Sequence, residues 1–225
     1  MDGILLVDKP ASWTSHDVVA KVRSLLKKES GQKIKVGHTG TLDPFATGLL
    51  ILVIGSYTKR AAEFSKMDKT YEAELTLGAT STTGDTEGEI TPKSAQKPSE
   101  QAIREVLGQF EGQIMQTPHA YSAVKVGGQR AYSLARQGKE VKLEPRQVTV
   151  YRLEVLGYRY PKLKIVTEVS SGTYIRSLAE DIGEKLGTGA YLSTLRRTSV
   201  GSFQVTAALG PDKIDKNISS RIRSL

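Results

Sequence analysis

The sequence predicts a mixed-sheet domain of α+β or α/β type, and three observations predict it. Helical and strand periodicities alternate along 225 residues without an internal repeat. Val18, Val19, Val22, Leu25 and Leu26 recur at the spacing of one helix face, whereas Tyr71, Ala73, Leu75 and Leu77 alternate like a half-buried strand. A chain of this length can bury a full core as one domain, or one domain with a small appendage.

In order, Ile4 to Val7 reads as a short buried strand. Ser15 to Lys28 reads as a helix with Asp17 in its first turn and Lys27 and Lys28 in its last, the charge order that the helix dipole favours. Gly31 and the basic stretch Lys33 to Lys35 form a loop leading into Gly37 to Leu50, and the apolar run Leu49 to Ile54 is a buried element beneath it. A helix is expected after Gly55 through Lys66, followed by the alternating strand. Gly78 to Lys97, rich in Thr, Ser, Gly and acidic residues, is expected to be a loop. Ser99 can cap a helix whose Ile103, Val106, Leu107 and Phe110 share a face. Val148, Val150 and Val155, then Leu163, Ile165, Val166 and Val169, mark two more strands. Ser171 to Gly187 closes with a helix bearing Ile175, Leu178, Ile182 and Leu186, stopped by Gly187.

A formal charge of +8 favours a polyanionic partner, because Lys and Arg that neutralise phosphates release counterions. From Pro118 to Val150 six Lys or Arg stand against two Glu, half the excess of the whole chain, so this stretch reads as an RNA-facing segment or a solvated face. With no cysteine, the chain offers no disulfide framework, thiolate nucleophile or Cys-ligated zinc. His16, His38 and His119 do not pair at metal-ligand spacing, so no metal or haem is expected. The early apolar run is too short for a signal peptide and Leu49 to Ile54 is too short to span a bilayer; a soluble cytoplasmic protein is the expectation.

The most informative stretch is GHTGTLDPFATGLL, Gly37 to Leu50. It sets Asp43 among glycines and threonines, with Pro44 directly behind it, as a backbone-defined loop on a buried element would. Asp before Pro in such surroundings is either turn chemistry or a positioned carboxylate, and spacing alone leaves both readings open. Gly37 and Gly40 could form an anion nest, but no Gly-Lys-Ser/Thr follows, so the phosphate-loop pattern fails.

This stretch resembles the signature of the pseudouridine synthases that act on the T-loop of tRNA, the TruB type. The resemblance continues in the same order through Gly3 to Val19, Lys69 to Gly78, Thr117 to Gly138, Ser171 to Gly187 and Leu195-Arg196-Arg197, so that it spans nearly all of the chain to about residue 205. It implies an α+β pseudouridine-synthase fold, a mixed and largely antiparallel sheet flanked by helices and loops. It also implies isomerisation of uridine 55 of tRNA to pseudouridine. That reaction breaks an N-glycosidic bond, turns the base and rebonds it through carbon, with no redox step and so no cofactor.

Within the resemblance, Asp43 is the catalytic carboxylate. It can act as a nucleophile toward the base or sugar C1′, or help to remove a sugar proton on a glycal route. Tyr71 would stack on the flipped base, Arg176 would pair with Asp43 and keep it ionised, Leu195 would close the apolar side of the pocket and Tyr174 would line it. His38 would fill the space that the extruded base leaves. Lys9 and Pro10 would shape the floor beneath the loop, with Lys9 counted among the RNA contacts, and Lys125, Arg130 and Arg136 would clamp the T-arm through its shape and phosphates.

The expected organisation is a catalytic domain over residues 1–210 with a basic insertion near 118–150, a short tail over 211–225 and no C-terminal RNA-binding PUA module. The expected partner of a monomer is the tRNA T-arm stem-loop, with no membrane and no metal. The alternative is a non-catalytic tRNA-binding or tRNA-folding protein on the same scaffold, which the joint presence of Asp43, Tyr71 and Arg176 disfavours.

Overall fold

The computed structural model describes every residue except Ala123, Arg136, Lys139, Glu140, Pro211, Asp212, Lys216 and Leu225, and only the backbone of Lys125, Arg130 and Tyr132. The chain begins with β1 (Gly3–Lys9) and α1 (Ser15–Ser30). Thr14 caps α1 by a reciprocal box: its hydroxyl accepts from the Asp17 N–H at 3.1 Å, and the Asp17 carboxylate accepts from the Thr14 N–H at 2.8 Å. Gly31 ends the helix in the left-handed conformation, at φ 70°.

β2 (Val36–His38) and β3 (Thr47–Ile54) then flank the Asp43 loop. The helix expected after Gly55 is a 3-10 turn over Gly55–Arg60, and only α2 (Ala61–Ser65) is α-helical. Thr58 Oγ1 donates to the Gly55 carbonyl at 2.7 Å and supports this tighter winding. β4 (Lys69–Leu77) alternates as the sequence predicts.

β5 (Ala79–Ser81) and β6 (Ile90–Pro92) pair antiparallel where a loop is expected, over three residues each, too few for a period of two to declare itself. α3 (Glu100–Gly108) starts at Ser99, whose hydroxyl accepts from the Ala102 N–H at 3.1 Å, and Phe110 lies beyond its end. Next come β7 (Gly112–Gln116), the small hairpin of β8 (Lys125–Val126) and β9 (Gln129–Arg130), and α4 (Ala131–Ala135). β10 (Arg146–Arg159) and β11 (Lys162–Val169) are the two expected strands. α5 (Ile175–Lys185) carries the expected Ile175, Leu178 and Ile182, with Tyr174 at its N-cap, and is followed by β12 (Ala190–Val200) and β13 (Phe203–Gln204).

The chain divides into two compact units: Met1–Tyr71 with Leu195–Leu225, and Glu72–Thr194. In the first, β3 pairs antiparallel with β1, from Gly3 opposite Ile54 to Lys9 opposite Gly48, and antiparallel with β2. It pairs in parallel with the end of β12, which makes the sheet mixed. Alternate residues of β1 and β3 feed two cores. Leu5, Val7, Leu50, Leu52 and Ile54 pack with Val18, Val19, Val22 and Leu26 of α1, whereas Ile4, Leu6, Leu49, Ile51 and Val53 pack with Phe64 and Val200. A strand buried on both faces explains the unbroken apolar run Leu49 to Ile54. Ile214 and Ile218 join the α1 core, and Arg223 bridges to Ile4.

In the second unit, β10 pairs antiparallel with both β11 and β7, and α3 packs against β10 and α5. Among the described residues no helix is long and apolar enough to cross a membrane.

Candidate active site

Asp43 lies half-buried in the loop between β2 and β3, and the peptides on either side of it are held. Ser15 Oγ donates to the Leu42 carbonyl at 3.1 Å and accepts from the Leu42 N–H at 2.9 Å. The Pro44 carbonyl accepts from the Ser12 N–H at 2.9 Å and from Lys9 Nζ at 3.2 Å. The Asp43 carbonyl itself accepts from the Ala46 N–H at 3.1 Å. Ser12 sits at φ 66°, a left-handed conformation that costs a non-glycine residue roughly 1 kcal/mol, in the turn that delivers its N–H to Pro44. The backbone on both sides of Asp43 is thus fixed by hydrogen bonds from β1, the turn after it and the start of α1.

Lys9 corrects one expectation. Its side chain is wholly buried, and its ammonium donates to the carbonyls of Pro10 (2.8 Å), Trp13 (2.6 Å) and Pro44 (3.2 Å). An ammonium has three donors, and a buried charge is tolerated where they are satisfied. Lys9 therefore holds the backbone of the loop and is not exposed to RNA.

The end of β12 supplies the other support. Leu195, Arg197 and Ser199 are buried on one face, while Arg196 and Thr198 take the other. Arg197 Nε donates to the Leu49 carbonyl at 2.7 Å and Nη2 to the Gly40 carbonyl at 3.0 Å. Arg196 grips both Asp8 carboxylate oxygens, at 3.0 and 2.7 Å. Sequence reasoning gave Arg197 no role. The signal was its place two residues after Leu195, which on a strand means the same face.

His38 lies on β2 opposite Leu52, and its buried Nδ1 has no hydrogen-bond partner among the described residues. Burial first, then electrostatic repulsion from Arg197 and the neighbouring His16, hold its pKa below the ordinary 6.5, so the imidazole is neutral at pH 7. Tyr71 is 8% exposed on β4. Lys69, two residues before it, donates to the Ser65 and Met67 carbonyls, and its pKa is pushed down to about 8 by burial and by Arg197.

In the second unit, Arg176 stands in the first turn of α5, buried with Asp85. Its Nη1 donates to the Thr83 carbonyl at 2.9 Å and lies 3.4 Å from Asp85 Oδ2, and its Nη2 donates to the Tyr121 carbonyl at 2.9 Å. Asp85 Oδ1 accepts in turn from Thr83 Oγ1 at 2.6 Å and the Glu87 N–H at 2.9 Å. Tyr174 donates its N–H to Gln116 Oε1 at 2.8 Å and accepts from Gln116 Nε2 at 3.0 Å through its carbonyl. Lys125 and Arg130 face each other as backbone partners in the β8–β9 hairpin, and Arg136 lies outside the described residues. The supporting Thr83, Asp85 and Gln116 were not read from the sequence.

Five of the expected residues, Lys9, His38, Asp43, Tyr71 and Leu195, thus belong to the first unit, and Lys125, Arg130, Tyr174 and Arg176 to the second. Among the described residues no group of three or more His, Asp or Glu could hold a metal ion. What the loop offers chemically is a carboxylate on an anchored backbone, with a neutral imidazole on the strand that precedes it.

Residues 23–175 match the N-terminal domain of the TruB family of pseudouridylate synthases, and residues 176–217 match the tRNA pseudouridylate synthase B C-terminal domain. Relatives named tRNA pseudouridine synthase B include one from Dehalococcoides mccartyi, 47% identical over 93% of this chain and 68% of its own length. Another, from Chlorobaculum tepidum, is 45% identical over 96% of this chain and 90% of its own length. Among solved structures, a chain of a Cbf5-Nop10-Gar1 complex superposes with a TM-score of 0.70 at 31% identity, covering 93% of this chain and 52% of that one. A chain of an H/ACA RNP bound to a substrate RNA containing 2′-deoxyuridine gives 0.67 at 30% identity, covering 92% of this chain and 50% of that one. The chain therefore spans about half the length of these solved chains. With the family pattern matched through both domains and relatives similar over nearly its whole length, the chain belongs to the TruB family of pseudouridylate synthases.

Proposed function

We propose that this chain isomerises uridine to pseudouridine in the T-loop of tRNA, at position 55, with Asp43 as the catalytic carboxylate. The observation that carries this reading is the anchoring of Asp43: Ser15 holds the peptide groups of Leu42, and Lys9 and Ser12 hold the carbonyl of Pro44, so the carboxylate starts from a set backbone. Positioning of this kind lowers a barrier by removing motions that would otherwise be frozen out in the transition state.

Reaching a base inside a folded loop means extruding it, at roughly a few kcal/mol of lost stacking. A neutral His38 suits the vacated space, because an uncharged ring can stack against bases without first shedding the hydration of a cation. Tyr71, Tyr174, Arg176 and Leu195 keep the roles that the family resemblance gives them. The basic stretch over 118–150, with Lys125, Arg130 and Arg136, holds the T-arm chiefly by its phosphates. The protein acts as a monomer in the cytoplasm and needs no cofactor, since the reaction is an isomerisation. No observation favours the non-catalytic alternative.

The test is to incubate purified protein with a T-arm stem-loop and with full-length tRNA, and to map pseudouridine by carbodiimide-dependent stops in reverse transcription. A stop at the T-loop uridine is the expected result. Absence of modification in both substrates overturns the proposal.

A further inference from the structure

The segment over residues 116–121 is stitched to one face of α5. Gln116 exchanges two hydrogen bonds with the backbone of Tyr174, at 2.8 and 3.0 Å, and Ser177 Oγ donates to the Thr117 carbonyl at 2.9 Å. The Tyr121 carbonyl accepts from Arg176 at 2.9 Å. The last stitch is His119, whose Nδ1 accepts from the Tyr121 N–H at 3.2 Å while its Nε2 lies 3.3 Å from Glu180 Oε1. An Nδ1 that accepts puts the neutral ring's proton on Nε2, the nitrogen that lies beside the Glu180 carboxylate.

Tyr121 is therefore gripped at both backbone polar groups: its N–H by His119, and its carbonyl by Arg176, which it helps to aim. Glu180 follows Arg176 by four residues on α5, so the two rise from the same face. Gly84 closes over both, for a Cβ there would lie 3.0 Å from Glu180 Oε1 and 3.3 Å from Arg176 Cβ, and this turn carries the Thr83 and Asp85 groups that hold Arg176. The His119 side chain is only 10% exposed and that of Glu180 32%, so the imidazole is enclosed while the carboxylate keeps one side to solvent.

We propose that His119 and Glu180 are positioning residues for Arg176: Glu180 orients the His119 ring, the ring holds the Tyr121 backbone, and the Tyr121 carbonyl sets the direction of the guanidinium. This rests on the proposed place of Arg176 in the active site. A group that acts only through another should raise the barrier with little effect on substrate affinity, and should lose its effect once that other group is gone.

The test is a double-mutant cycle on the full chain with T-arm RNA, measured by steady-state and single-turnover kinetics. His119→Ala should lower kcat about tenfold with KM nearly unchanged, the scale of a slightly misplaced group, and should cost nothing further on top of Arg176→Ala. His119→Asn, whose Oδ1 can still accept from the N–H two residues on, should recover part of kcat. If His119→Ala lowers kcat equally in both Arg176 backgrounds, or leaves it unchanged while Arg176→Ala is crippled, the positioning proposal is wrong and the reading of Arg176 stands. Full activity in Arg176→Ala overturns both together. Glu180→Gln goes through the same cycle should His119→Ala fail to fold: a loss of kcat coupled to Arg176 is expected, and an additive loss or none overturns the proposal.

Discussion

Gly48 and Arg197 lie opposite each other where β3 and β12 run parallel, and a Cβ on Gly48 would sit 2.2 Å from the Arg197 carbonyl oxygen and 2.7 Å from its nitrogen. Gly48 is also at φ 104°, where a side chain is strained whatever the space. The backbone approach that glycine permits is what lets Arg197 reach the carbonyls of Gly40 and Leu49 on the two sides of the Asp43 loop.

Gly48→Ala should therefore destabilise by about 2–4 kcal/mol, combining overpacking with strain, and should lower activity as the loop loses its support. Urea unfolding measures the first effect. Gly31→Ala is the matched control, because Gly31 has φ 70° but nothing within 4 Å of the added carbon, so only about 1 kcal/mol of strain is expected there.

Lys9→Met keeps the length of the side chain and removes the ammonium, leaving the carbonyls of Pro10, Trp13 and Pro44 without that donor. A loss of about 3 kcal/mol is expected, with kcat reduced. The salt dependence of tRNA binding should stay the same, because a buried lysine neutralises no phosphate; a slope smaller by about one unit would restore Lys9 to the RNA contacts.

Asp43→Asn should abolish turnover while tRNA affinity and thermal stability stay close to wild type, since the amide is nearly isosteric and the anchors bond the neighbouring peptides. Equal loss of binding and turnover would make Asp43 a structural turn residue.

Asp181 gives a pH-dependent prediction. Burial first, then Glu180 and Glu184, push its pKa up to about 6 from an ordinary 3.8. A carboxyl whose folded pKa is raised binds its proton more tightly in the folded state, so its unfavourable contribution develops between about pH 4 and 6 and is complete above that. Asp181→Asn should raise the melting temperature at pH 7.5 by about 2–4 °C, after discounting for the solvent-exposed part of the group, and the gain should fade as pH drops toward 4. Differential scanning calorimetry across this range reads the effect.

Much of the fold was legible because its signals were local. α1 carries its periodicity and end charges in one window, and β1 and β3 are apolar on both faces. β12 escaped because its buried face includes Arg197 and Ser199, so the apolar alternation that marks a strand is broken by polar residues with internal partners. The Asp43 loop stood out by composition, and its role came from resemblance. Lys9 lies under the loop, where the resemblance put it, but its added reading as an RNA contact meets a buried side chain, because a lysine reads as solvent-facing unless the carbonyls around it are known. The surroundings of Arg176 could not be read either, since Thr83 and Tyr121 lie 93 and 55 residues away in sequence.

Adjacent residues of a strand point to opposite sides, and β12 uses that rule to send Arg196 to Asp8 and Arg197 to the Asp43 loop from a single point. The site is thereby written partly in phase. Inserting one residue in β12 upstream of Leu195 would keep every side chain yet exchange the two faces beyond it, sending both guanidiniums and Leu195 the wrong way at once. Length changes are tolerable in surface loops; in this strand a shift of one residue is equivalent to three simultaneous substitutions.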